Sequence, residues 1–306
     1  MNILRHSILE IVLLAICVFL YFQSDVFLTR DNLLLVLRNS CEIGIIAFGM
    51  TMVIIAGEID LSVGSAVAFA GCLTACLIEH GWPAWAAVAT ALALGAAIGG
   101  FTGFVRTKFN VPSFITSLAL LTALRGAAFK LTGGYALTNL PTGFAYLGSG
   151  YLVGIPFPVI LLALVFTAVH FVMNFTTFGR SVYAVGGNAE AARLCGISVG
   201  RVRVGVLAIT GLLAALSGVV LTARISSGSP EVAQGWELDV IAAVIVGGTS
   251  LSGGAGRVWG TLVGVLFMAV IVNGMRLMDV HEDGQLIARG VIVLLAVLLS
   301  RMQQER

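Results

Sequence analysis

Charged side chains are scarce in this chain. Asp, Glu, Lys and Arg make up 10% of its 306 residues, where a soluble globular protein carries roughly 25%. Only two are lysines, Lys108 and Lys130, and the net charge is +2. That leaves no basic patch or tail for a nucleic acid. The four histidines, His6, His80, His170 and His281, are scattered, and no nucleophile–base arrangement emerges around them, so an enzyme is not expected. Cysteine is sparse too. Cys72 and Cys76 share a helical face but have no His or carboxylate beside them, so they read as small hydrophobes and not as a metal site or a disulfide framework. A nucleotide cradle G-x-x-x-x-G-K-[ST] is missing, since Lys108 follows Thr107 and Lys130 follows Phe129. No cofactor is expected.

What the chain has is apolar length. Residues 58% apolar cannot be covered by so few charges, so lipid is the solvent for much of the surface. Ten segments are long and apolar enough to suggest spans: 8–23, 33–56, 63–79, 84–105, 112–131, 153–174, 204–222, 237–251, 257–275 and 285–300. Runs of this kind exclude a barrel, whose strands alternate every second residue. The expected fold is an all-α polytopic bundle of about 10 transmembrane helices, one domain over 1–306, in a lipid bilayer. The first segment lacks a small-x-small cleavage site and reads as an uncleaved helix. With the N-terminus inside, the inner segments collect Arg5, Arg106, Lys108, Arg180, Arg193, Arg201, Arg203, Arg257, Arg301 and Arg306, against Arg30, Arg224 and Arg276 outside. Ten against three predicts that both termini are cytoplasmic.

Three patterns carry chemistry. The first is GEIDLSVGS at 57–65. Glu58 and Asp60 stand between two apolar runs, and Gly57 and Gly64 permit a broken helix whose freed backbone Ser62 and Ser65 would satisfy. Two readings stand: a polar hinge lining a permeation path, or a short loop with Asp60 as the N-cap of the next helix. The second is a weak repeat, VIIAGEIDLSVGS (53–65) against VIVGGTSLSGGAG (244–256). Transporters built from repeats often hold substrate at the junction, so Asp60 and Ser62 are expected within reach of Ser250 and Ser252. The third is a loop at about 178–203. Asn188 looks like an N-cap, Glu190, Ala191 and Ala192 begin a short helix, and Gly196 stops it. Its apolar side is expected to dock on a partner. Glycines at 95, 99 and 103 and at 256, 260 and 264 form close-packing faces. Arg38 and Glu42 are four apart and suit an ion pair. Arg125, deep in its span, is the candidate partner for an acid or a substrate hydroxyl.

These residues resemble the ribose/xylose/arabinose class of ABC-transporter permeases along essentially the whole chain. The resemblance rests on GEIDLSVGS at 57–65, FNVPSFITSLALLTALRGAAFKLTGG at 109–134, FGRSVYAVGGNAEAARLCGISV at 178–199 and GWELDVIAAVIVGGTSLSGGAGRVWGTLVGV at 235–265. It implies the membrane subunit of a bacterial importer in the inner membrane. It further implies a cytoplasmic ATPase, a periplasmic or lipid-anchored sugar-binding protein, a second permease copy or homologous permease, and a monosaccharide substrate. Glu190, Ala191, Ala192 and Gly196 match the E-A-A-x-x-x-G pattern with which importer permeases dock on their ATPase. Where the family pattern looks like Gly at position 58, this chain has Glu. The alternative from another class is an ion-coupled secondary sugar transporter, which would want paired intramembrane acids.

Overall fold

The computed structural model describes residues 8–304, so Arg5 and Arg306, used above for orientation, lie outside the described residues. Thirteen α-helices run through that range. In order they are α1 (Ile8–Gln23), α2 (Arg30–Ile55), α3 (Val63–Glu79), α4 (Ala84–Lys108), α5 (Ser113–Thr132), α6 (Thr142–Ser149), α7 (Phe157–Phe175), α8 (Thr177–Gly187), α9 (Ala189–Leu194), α10 (Val199–Ile225), α11 (Trp236–Val246), α12 (Val258–Leu277) and α13 (Glu282–Gln304). A two-residue hairpin, β1 (Tyr151–Leu152) with β2 (Ile155–Pro156), precedes α7. Every apolar segment read from the sequence holds a helix. Six of them, α2, α4, α5, α7, α10 and α12, are long and apolar enough to cross a membrane.

Two spans are broken, which the sequence segments did not resolve. The segment 237–251 yields only the 11 residues of α11, because Gly247 and Gly248 end it and a glycine-rich turn follows to Arg257. Likewise α3 is preceded by an extended stretch, Glu58–Leu61, that starts at Gly57 (φ +75°). Both breaks use one device. Gly57 N and Glu58 N donate to Ile54 O and Val53 O; Gly248 N and Thr249 N donate to Ile245 O and Val244 O. This is the same left-handed glycine stop, 191 residues apart, and it satisfies the last carbonyls of α2 and α11 alike. The weak sequence repeat is thus a structural one at this point.

The bundle is organised around α2 and α10, whose most apolar windows are 61% and 67% buried, against 22% for α5 and for α7. The outer helices therefore present apolar side chains outward, such as Ile115 and Leu118 of α5 and Leu164 and Phe171 of α7, as a lipid-facing surface requires. Small residues set the tightest contact. A Cβ on Gly99 would stand 2.1 Å from Leu207 O, and one on Gly95 2.6 Å from Gly211 O. The glycine face of α4 therefore lies backbone to backbone on α10. On the other side Gly260 and Gly264 of α12 meet Gly247 O and Ala243 O of α11 in the same manner.

Candidate functional site

Unwound chain in a membrane must find hydrogen-bond partners inside the protein, and both broken spans do. Ile59 N donates to Ser113 Oγ and Leu61 N to Ser117 Oγ, at 3.1 and 3.0 Å. The stretch therefore climbs one turn of α5. Asp60, 2% exposed, accepts from Ser62 N and Ser62 Oγ at 2.9 and 2.6 Å. Asp60 is not the N-cap of α3; that position is Ser62, which makes no side-chain cap. Ahead of α11 a further non-helical stretch, 226–235, lies on α3: its Gly228 pairs with Leu137 and packs on Ala75. It runs down α3 until Ala233 O reaches Gly64. Arg125 Nη1 takes the carbonyls of Pro230 and Val232. Arg125 thus serves freed backbone carbonyls, with Glu237 nearby as an electrostatic partner.

The consequence is that the first turns of α3 and α11 meet. A Cβ on Gly64 would lie 2.4 Å from Glu237 Oε2. The positive ends of the 17-residue α3 and the 11-residue α11 converge there.

At the α9 end of the bundle the stop after α2 and the turn that follows the stop of α11 share one seat. Gly254 N donates to Ile55 O at 2.8 Å. Gly253 packs on Gly57, and Gly186, in the last turn of α8, lies between them: a Cβ there would be 1.6 Å from Ile55 O and 2.6 Å from Gly254 N. Tyr183, one turn earlier in α8, donates to Gly256 O at 3.0 Å. Burial pushes the Tyr183 phenol above its ordinary range, with Arg257 drawing it back. The turn at Gly57 after α2 and the turn at Gly253 and Gly254 after α11 touch at this seat. Within its own turn Ser250 Oγ accepts from Ser252 N at 3.2 Å.

Beside the seat is a charge cluster that pattern reasoning missed. Arg106 Nε donates to both oxygens of Glu58, at 2.9 and 3.1 Å, and to Asn110 through Nη1. Arg203 Nε stands 2.7 Å from Glu58 Oε1 as an ion contact, without hydrogen-bond alignment. Glu58 therefore ties the end of α4 and the start of α10 to the break after α2. Its side chain is 4% exposed and each arginine 19%. Glu42 is also paired across the fold, with Arg224 at 3.0 Å. Arg38, the partner suggested by spacing, instead stacks on Tyr151 and donates to its hydroxyl.

The loop helix is built as its sequence reads. Asn188 Oδ1 accepts from Ala191 N at 2.9 Å, Glu190 pairs with Arg193, and Gly196 closes the helix at φ +84°. Ala192 is buried, whereas Leu194 is 80% exposed and the free thiol of Cys195 is also at the surface. Asn188 is both the C-cap of α8 and the N-cap of α9, so the exposed helix and the Gly186 seat are consecutive in the chain.

Apolar outer helices, broken spans and a small capped helix joined to the breaks describe a polytopic helical membrane protein. Residues 32–299 match the family described as "Branched-chain amino acid transport system / permease component", and the chain belongs to that permease family, within its monosaccharide ABC-transporter branch in the bacterial inner membrane. It is 41% identical to the ribose import permease protein of Escherichia coli K12, over 96% of this chain and 93% of that one. The Bacillus subtilis ribose import permease protein is 43% identical over 90% and 86%. The Escherichia coli K12 xylose transport system permease protein is 34% identical over 96% and 91%. No solved structure matches the chain.

Proposed function

We propose that this chain is the membrane-spanning subunit of an ATP-driven importer for a pentose- or hexose-like monosaccharide. The observation that carries the reading is near-full-length identity to permeases named for ribose and xylose. The family description names branched-chain amino acids, whereas these near-full-length relatives are named for ribose and xylose. A separate cytoplasmic ATPase seats on α9, a periplasmic or lipid-anchored binding protein delivers the sugar, and a second permease copy or close relative completes the path. The α9 end faces the cytoplasm.

In this reading Asn188, Glu190, Ala191, Ala192 and Gly196 form the ATPase contact. Motion of α9 passes into α8 and, through Gly186, to the turns after α2 and α11 together. Asp60, Ser62, Ser250 and Ser252 border the path at these turns. Glu58 and Arg125 hold the unwound strands that frame it. The test is reconstitution: proteoliposomes containing the permease, its ATPase and the binding protein should take up ribose or xylose only with ATP. Uptake driven by an ion gradient and abolished by an ionophore would point to a secondary transporter instead.

A further inference from the structure

At the end of the bundle away from α9, a cavity of about 290 Å³ lies between α2, α10, α11, α12 and α13. Small-ligand sites start at about this size. Its walls differ in character. One, on α12, is apolar at Met268 and Val272 and ends in Asn273, which pairs with Asn32, and in the exposed Arg276. The facing wall is polar, with Asn39 from α2, Arg224 from the last turn of α10, Asp239 from the first turn of α11 and Arg289 from α13. Trp236, the first residue of α11, contributes a flat ring.

The charges on the polar wall are committed to one another or to neighbours. Arg289 Nη1 holds Asp239 Oδ2 at 3.1 Å. Arg224 holds Glu42 and, through Nη1, Asn39 Oδ1 at 2.7 Å. These pairs leave hydrogen-bonding capacity over. Among the described residues, Arg289 Nε is buried without a partner, and no hydrogen bond forms to Asp239 Oδ1, the Asn39 amide nitrogen or the Trp236 indole nitrogen. Paired charges with spare donors and acceptors suit neutral hydroxyls, and the one cation of the lining without an ion pair among the described residues, Arg276, is exposed. An apolar wall and an aromatic ring opposite disfavour a small, wholly polar solute. The combination suits a ligand with a C–H face on one side and a row of neutral hydroxyls on the other.

We propose that this cavity is a binding site of the permease itself for a monosaccharide ring. The proposal rests on the sugar-import reading above. The ring lies with its C–H face on Trp236 and the α12 wall, and its hydroxyls bridge Asp239, Asn39 and Arg289. The site sits at the first turn of α11, about 15 Å at 1.5 Å per residue from that helix's last residue, and the turn that follows α11 reaches the Gly186 seat through Gly253 and Gly254.

The test uses the full-length permease in lipid nanodiscs, without binding protein or ATPase, carrying Trp82→Phe, Trp85→Phe and Trp259→Phe so that Trp236 is the sole tryptophan. Titration with ribose, xylose and arabinose should give a saturable change in Trp236 emission for at least one sugar. Asp239→Asn and Asn39→Leu should each raise the half-saturation concentration about tenfold, the loss of one good hydrogen bond. Asn39→Leu keeps the Asp239–Arg289 pair and covers the case in which Asp239→Asn fails to fold. No saturable response, from a protein whose assembled transporter still takes up one of these sugars, overturns the site and leaves the import reading intact. A response equally strong in both variants also overturns it. Saturable binding that both variants weaken, with no ATP-driven uptake of any of the three, supports the site and sinks the import reading.

Discussion

Glu58 is the residue whose surroundings differ most from its sequence context. It sits where the related pattern looks like glycine, and it is answered by two arginines 48 and 145 positions away. Removing one partner of a buried pair strands the other charge, so Glu58→Gln should lower the thermal midpoint of the purified permease. A double-mutant cycle with Arg203→Gln should return a coupling of about 1–3 kcal/mol; a value near zero would mean that Arg106 alone holds the carboxylate. Asp60 gives a different outcome, because among the described residues its side-chain hydrogen bonds come from Ser62 alone. Asp60→Asn should leave insertion and melting almost unchanged while uptake falls; wild-type uptake would remove Asp60 from the path. Neither set of contacts was fully legible in the sequence. Asn188 and Gly196 could be read because a cap and a stop are local. Glu42 was assigned to Arg38 by helical spacing, yet tertiary packing delivers Arg224 instead. Ser113 and Ser117 carried a usable signal, two hydroxyls four apart on one helix face, but only the fold reveals the strand they serve.

Among the elements, α8 and α9 pose a question that two glycines separate. Gly186 needs space: its φ is ordinary, but a methyl group would strike Ile55 O. Gly196 needs a backbone conformation: nothing lies within 4 Å of its missing Cβ, but φ is +84°. Gly186→Ala should therefore push α8 off the shared seat without unfolding α9. ATP hydrolysis should persist while hydrolysis-linked uptake falls at least tenfold. Gly196→Val carries a backbone cost of about 1–2 kcal/mol, concentrated in the exposed helix, and should weaken assembly with the ATPase. If both variants assemble and transport normally, this segment does not transmit motion. The glycine face of α4 was legible because spacing alone defines it, as were Gly260 and Gly264 of α12, but Gly256, grouped with them by spacing, precedes α12 and packs on Thr249. The shortness of α11 was not: the segment was carried across Gly247, Gly248, Thr249 and Ser250 to Leu251, and only the left-handed stop at Gly248 shows that the helix has ended.

For the molecule as a whole, the arrangement sorts residues by end. Gly143 lies in α6, near the hairpin, whereas Gly187 belongs to the α8–α9 unit. Cysteine substitutions at these two positions in intact cells should be labelled from opposite sides of the membrane, with Gly143 outside; labelling from one side would refute the orientation drawn from the cation count. The native cysteines make a second experiment possible without any substitution. Cys41 and Cys72 are buried, Cys17 and Cys76 are partly covered, and Cys195 is exposed at the end of α9. A maleimide dye should thus react first with Cys195 in the natural sequence, and bound ATPase should protect it. If the dye's emission changes through each round of ATP hydrolysis, the protein carries a built-in optical reporter at the point where mechanical work enters the membrane.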